Sequence, residues 1–461
     1  MVFSSVVFVF LFFPILFLLY YLVKDEYKNA LLLAGSIIFY AWGEPKYVFL
    51  ILFSIFVNWY VGMMIDAQEE KKRRIVALFV GVIYNVAILV YFKYSVFFAG
   101  IVNSTFGIDL TDTFLVSKTP MPIGISFFTF QILSYLIDVY YKKVPCQRSI
   151  KKLGLYILLF PQMIAGPIVR YIDVVNEIDN RTISRENIVN GLKRFMFGFS
   201  KKVLLSNSVA LIADNAYASI GSSGALSILG AVAYMLQIYY DFSGYSDMAI
   251  GMGEMAGFHF LENFNKPYQA VSVQDFWRRW HISLSSWFKD YLYIPLGGNR
   301  KGTARTYINL LIVFFVTGLW HGASFNFIVW GLYHGVFQII ERLGLKKALE
   351  KAPKVVGKVY TLLVVFIGWI FFRADTLSDA LNMIGSIFNF AQFNWREILP
   401  CLNAEHLFFL VISLFGVTQL SDKVREKIPQ TIRTIALAAT FAIALLYMIG
   451  SSYNPFIYFR F

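Results

Sequence analysis

Five histidines stand in this chain of 461 residues, and their settings differ. His321 lies in the run Leu319-Trp320-His321-Gly322-Ala323, between two apolar stretches. A titratable side chain at membrane depth is costly to keep there and usually marks a pathway or a reaction centre. His281 falls on the apolar face of an expected helix, beside Arg278 and Arg279. Neighbouring charge and burial can tune an imidazole for function in such a place. His334 shares a helix face with Trp330, where an ordinary core role outweighs a functional one. His259 and His406 read as interfacial and structural.

Acids form a second group. The run Gln237-Ile238-Tyr239-Tyr240-Asp241-Phe242-Ser243-Gly244-Tyr245-Ser246-Asp247 ends a largely apolar segment. Asp241 and Asp247 need partners there. Support of the helix carrying Arg278 and Arg279 is favoured over substrate binding, because unpaired buried charge is costly. Other chemistries lack their motifs: there is no GxxxxGK[ST], HExxH or CxxC. Gly244-Tyr245-Ser246-Asp247-Met248 lacks the closing glycine of a nucleophile elbow. Cys146 and Cys401 are too few for a metal cluster or a disulfide framework and read as ordinary thiols. No metal is expected.

The elements that must position these residues are membrane helices. The chain is 58% hydrophobic and 15% charged, against about 45–50% and about 25% in soluble domains. Apolar blocks near spanning length cover residues 2–23, 47–65, 75–92, 125–141, 228–250, 306–319, 324–340, 359–372, 407–420 and 435–449, with 30–42 and 203–220 weaker. That makes about twelve candidates. Residues 1–23 read as a first anchor, since no positive n-region or cleavage site frames them. The net charge of +13 lies between apolar blocks, which points to membrane topology and away from nucleic acid. Basic clusters at 71–74, 142–152, 193–202, 278–305, 342–358 and 423–427 thread as cytoplasmic, with the N-terminus outside. Residues 160–167, apolar but broken by proline and glycine, read as re-entrant. Residues 274–293 read as one amphipathic helix at the interface or in a cytoplasmic-facing funnel.

Longer runs then point to a family. Asp275-Phe276-Trp277-Arg278-Arg279-Trp280-His281-Ile282-Ser283-Leu284-Ser285, continuing through Trp287-Phe288-Lys289-Asp290-Tyr291 to Gly297-Gly298-Asn299-Arg300, resembles the membrane-bound O-acyltransferase (MBOAT) family. So do Thr317-Gly318-Leu319-Trp320-His321-Gly322-Ala323 and Trp330-Gly331-Leu332-Tyr333-His334-Gly335. Residues 160–171 and 239–247 are similar to signatures of its bacterial AlgI/PatA/DltB-like branch, which serves alginate and peptidoglycan O-acetylation and teichoic acid D-alanylation.

The resemblance implies an all-α polytopic membrane protein of about 11–12 transmembrane helices, with re-entrant and interfacial helices around a central tunnel. It implies one domain over residues 1–461: N-terminal helices to 141, a catalytic core over 142–345, and C-terminal helices from 346. His321 matches the family's near-invariant histidine, expected to be catalytic. His281 matches an upstream polar position and could orient the donor or stabilise an oxyanion. Trp320, Arg278, Arg279, Asp241, Tyr245 and Asn326 are candidate substrate- or donor-binding residues.

The implied reaction moves an acyl group, acetyl first among the options, from a cytoplasmic thioester to a hydroxyl of an extracytoplasmic polysaccharide, with His321 as base. No tightly bound cofactor is expected. The donor is expected to be acetyl-CoA, with an acyl carrier protein's phosphopantetheine thioester as the alternative. Implied partners are membrane lipid, the polysaccharide acceptor and an extracytoplasmic SGNH-type acyltransferase, in the bacterial inner membrane. Competing readings are D-alanyl transfer to teichoic acid, a polysaccharide or lipid transporter, and a scaffold for an outside enzyme. The chain shows no inverted half-repeats of the transporter kind.

Overall fold

The computed structural model describes residues 1–451 and 453–455. Among the described residues there is no strand, only an antiparallel bridge between Phe264 and Trp280. The chain divides into two compact units, residues 1–192 with 249–261 and residues 193–248 with 262–461.

The first unit holds α1 (Phe13–Leu22), α2 (Asp25–Gly43), α3 (Val48–Ala67), α4 (Lys71–Leu89), α5 (Ser95–Phe106), α6 (Ile125–Tyr140), α7 (Ile150–Leu158), α8 (Phe160–Met163), α9 (Tyr171–Asn180) and the start of α10 (Arg185–Ser200). A π-helical turn joins α4 to α5, so Lys71–Phe106 runs as one apolar rod. Phe49, Phe53 and Phe56 on α3 and Phe79 and Ile83 on α4 are exposed. Such a face suits hydrocarbon, where helices satisfy their own backbone and need no polar cover. The segment expected to be re-entrant is indeed broken. The helix stops at Leu158, restarts at Phe160 with Pro161 in its first turn, and ends at Met163, all of it buried. Buried backbone needs partners. Here the Phe160 amide donates to Ser36 Oγ at 3.1 Å, and Gln162 Nε2 donates to the Tyr156 carbonyl at 2.6 Å.

The second unit continues through α11 (Asn207–Tyr217), α12 (Gly224–Met255), α13 (Val273–Trp277), α14 (Ile282–Phe288), α15 (Thr303–His321), α16 (Phe325–Ile340), α17 (Lys346–Lys351), α18 (Lys354–Arg373), α19 (Leu377–Phe388), α20 (Ala404–Gly416), α21 (Gln419–Lys427) and α22 (Gln430–Gly450). Helices α15 and α16 form a hairpin of close approach. A Cβ on Gly318 would strike the Phe327 carbonyl, and one on Gly331 the Phe314 carbonyl. Small residues let backbones meet this tightly in apolar surroundings.

Among the described residues, seven helices are long and apolar enough to cross a membrane, and residues 395–416, bent by 102°, would make an eighth span. The protein is an all-α polytopic membrane protein. Several apolar blocks form shorter helices, among them Phe8–Leu22 and Ile125–Tyr140.

Two expectations need correction. Residues 274–293 are not one helix: α13 stops at Trp277, the backbone turns through His281 at φ +45°, and α14 restarts at Ile282. Residues 193–202 are not a polar loop either. They lie within a continuous helical run, Arg185–Tyr217, in which Arg194 and Lys201 pair with Asp247 and Lys202 with the buried Asp241.

Candidate active site

The end of α15 carries His321 into an aromatic box. Its ring meets Trp330 at 5.0 Å and 88°, Phe372 at 5.0 Å and 76°, and Trp320 at 4.8 Å and 73°. Edge-to-face geometry is the favoured arrangement for such rings. The box draws on α15, α16 and α18. Gly322, in extended conformation, ends α15 directly after the histidine.

His281 is held by a different device. Its left-handed backbone is uncommon for a residue with a side chain and costs strain. Backbone pairing with the preceding loop fixes it: Asn265 N donates to the Arg279 carbonyl at 2.9 Å, and Ile282 N to the Asn263 carbonyl at 3.0 Å. The side chain of Asn263 completes the anchor. Its Oδ1 lies 3.1 Å from His281 Nδ1 and accepts from Ser283 Oγ at 2.9 Å, while its Nδ2 donates to Ser246 Oγ at 3.1 Å. With Oδ1 the acceptor, His281 Nδ1 carries the proton, and Nε2 is the acceptor nitrogen. His281 is completely buried, and burial pushes its imidazole down to about 3. Its ring packs on Phe242 at 4.6 Å and on Trp320 at 5.9 Å. Trp320 therefore touches both histidines.

The other expected site residues take separate places. Asn326 is buried and donates to the Ala374 carbonyl at 2.6 Å. Tyr245 is buried on α12. Asp241 forms a buried ion pair with Lys202 at 2.5 Å, and Asp247 pairs with Lys201 at 2.6 Å and Arg194 at 3.1 Å. The acids thus support the α10–α11 run, not the segment of Arg278 and Arg279. Arg279 pairs with Asp275 at 2.8 Å, and Arg278 is exposed. His334 sits among Trp277 at 5.1 Å and Trp330 at 5.3 Å, in the core. His259 is exposed and meets Glu177 at 2.7 Å. His406 Nδ1 lies 3.1 Å from the Cys401 carbonyl. Sequence reasoning missed Asn263, Ser246, Ser283 and Lys202. No local pattern marks Asn263, but Lys202 stands directly before Val203-Leu204-Leu205, at the head of an apolar run, where an unpaired charge would have been costly.

Comparison with known proteins gives the family of the chain. Residues 140–372, which include both histidines, match the membrane-bound O-acyltransferase family. A Pseudomonas putida protein named “Probable alginate O-acetylase AlgI” is 40% identical, with all of both chains covered. The “Peptidoglycan O-acetyltransferase” of Helicobacter pylori is 31% identical, over all of this chain and 98% of the relative. The “Teichoic acid D-alanyltransferase” of Bacillus subtilis is 30% identical over 46% of this chain and 57% of its own. The chain belongs to the membrane-bound O-acyltransferase family and is a multi-pass membrane O-acyltransferase.

Proposed function

We propose that this enzyme moves an acetyl group from a cytoplasmic thioester, acetyl-CoA, to a hydroxyl of an extracytoplasmic polysaccharide across the bacterial inner membrane. The observation that carries this reading is the pair of buried histidines sharing Trp320, inside the segment that matches the family. Full-length likeness to two proteins named for O-acetylation favours acetyl over D-alanyl, for which the likeness spans only about half of the chain.

In the proposed step, His321 takes the proton of the acceptor hydroxyl as its oxygen attacks the thioester carbonyl. The tetrahedral intermediate collapses, the C–S bond breaks, and the proton passes to the leaving thiolate. His281, with Nε2 as acceptor, suits orienting a donor N–H or the attacking hydroxyl better than stabilising an oxyanion, which needs a donor. Trp320 positions both rings. Arg278, exposed beside this segment, is suited to attract donor phosphates.

A separate extracytoplasmic SGNH-type acyltransferase is the proposed acceptor-side partner. Exposed aromatics support this: Phe114 in one outer loop, and Phe390 and Trp395 in another, suit a protein interface. The deciding experiment is mass spectrometry of cell-envelope and secreted glycans with and without the protein, alongside reconstituted transfer from acetyl-CoA. Unchanged acetylation in the deletion strain sinks the reading.

A further inference from the structure

A cavity of about 360 Å³ lies in the second unit, apart from the aromatic box of His321. Its lining includes Tyr239, Tyr240 and Tyr268, the cations Lys201, Lys266 and Arg425, and the acid Asp422. Two of the tyrosine hydroxyls are committed: Tyr240 donates to the Ser413 carbonyl at 2.8 Å and Tyr268 to the Met235 carbonyl at 2.5 Å. Two of the three cations are also committed, Lys201 to Asp247 and Lys266 to Asp422, each at 2.6 Å. Arg425, exposed on α21, takes part in no ion pair among the described residues. Asp422, which also lines the cavity, is paired at close range with Lys266 and only feels the more distant charge of Arg425, so the cavity presents a guanidinium with no directly bonded carboxylate beside aromatic rings.

Its surroundings say what kind of molecule fits. One wall is the end of α20, whose outer face exposes Phe408, Val411, Ile412 and Phe415. That face is continuous with the apolar surface of a membrane helix. After Gly416 the chain turns into α21, which exposes Lys423, Arg425 and Lys427. The change from apolar to basic marks the headgroup level of the bilayer. A ligand here would place a phosphate against a guanidinium, which matches phosphate geometry with its planar fork of donors, and would lay hydrocarbon along α20. A volume of this size suits a compact polar headgroup.

We propose that this cavity is a binding site for an anionic phospholipid, its phosphate held by Arg425 and its acyl chains lying on α20. Basic clusters at a membrane face attract anionic lipid in this way. The site lies close to the catalytic segment, since Tyr239 and Tyr268 approach Trp280, the residue before His281, at 6.4 and 6.2 Å.

The test is native mass spectrometry of the full chain in detergent, titrated with dioleoyl phosphatidylglycerol or dioleoyl phosphatidylcholine. Phosphatidylglycerol adducts are expected to exceed phosphatidylcholine adducts at least about fivefold, as one bidentate charge-assisted contact warrants. Arg425→Gln should remove most of that preference, and Ser421→Phe should remove the adduct by filling the cavity without changing charge. Lys427→Gln, on the same helix but outside the cavity, should leave it intact. Equal binding of the two lipids overturns the proposal, as does an equal loss with Lys427→Gln. Displacement of the adduct by inorganic phosphate or acetyl-CoA at millimolar concentration also overturns it, because the site would then belong to a soluble phosphate compound.

Discussion

At the scale of residues, His321 and His281 are held by different devices, aromatic rings for the first and Asn263 for the second. The aromatic rings about His321 keep it buried, which suits the proton transfer proposed for it. Replacing it with alanine should cut transfer by about 10²–10⁴-fold, the range for a general base, while membrane insertion stays normal. A well-expressed variant with near-normal product would remove His321 from the mechanism. His281 depends on Asn263. Asn263→Ala removes the acceptor that fixes Nδ1 and leaves buried donors unsatisfied, at about 1–3 kcal/mol each. Activity should fall about tenfold to a hundredfold, and His281→Ala added to it should cost little more; additive losses would show that Asn263 acts elsewhere. Burial also sets a pH dependence. An imidazole held at about 3, against about 6.5 when free, binds its proton more weakly in the folded chain. Its contribution to stability is complete above about pH 6.5 and is lost as pH falls toward about 3. The melting midpoint of purified protein should drop between about pH 7 and about pH 5, and His281→Gln should flatten that drop.

At the scale of elements, the ion pair of Lys202 and Asp241 ties the run Arg185–Tyr217 to α12. Both side chains are almost wholly buried, at 1% and 2% exposure, so neither can turn to water if the other is removed. Lys202→Met should therefore destabilise by about 3–5 kcal/mol, read as loss of folded protein in thermal or proteolytic assays. Lys202→Met with Asp241→Leu should recover much of that loss; no recovery would mean that the pair serves more than packing. These elements also show what could be read in advance. Apolar runs and their charges revealed the membrane helices, because hydropathy is local in the chain. His321 was legible for the same reason, a titratable group set between two such runs. The break at His281 was not. Residues 278–281 contain no glycine or proline to announce it, and pairing with residues 263–265 imposes it from a distance in sequence. The same holds for Lys202, which beside Lys201 reads as a solvated basic pair until α12 supplies Asp241.

At the scale of the whole molecule, the charges along the chain agree with the helix boundaries. Helix α4 opens with Lys71-Lys72-Arg73-Arg74, α15 is preceded by Arg300 and Lys301, α18 opens at Lys354, and α22 follows the basic α21. Each of these spans begins at its basic end. The segments at their far ends, around residues 107–121, 322–324, 374–376 and 451, carry few cations. Retained cations set orientation because moving them across the bilayer is opposed. The proposed topology follows: starts of α4, α15, α18 and α22 in the cytoplasm, and residues 107–121 and 389–403 outside. It matters for the proposed function, in which a cytoplasmic thioester and an outside polymer require openings on opposite sides. In a background with Cys146→Ser and Cys401→Ser, single cysteines at Thr113 and Asn394 should react with a membrane-impermeant maleimide in intact cells. Cysteines at Thr303 and Lys354 should react only after lysis. Labelling of Thr303→Cys in intact cells, with Thr113→Cys protected, would reverse the orientation and with it the direction of transfer.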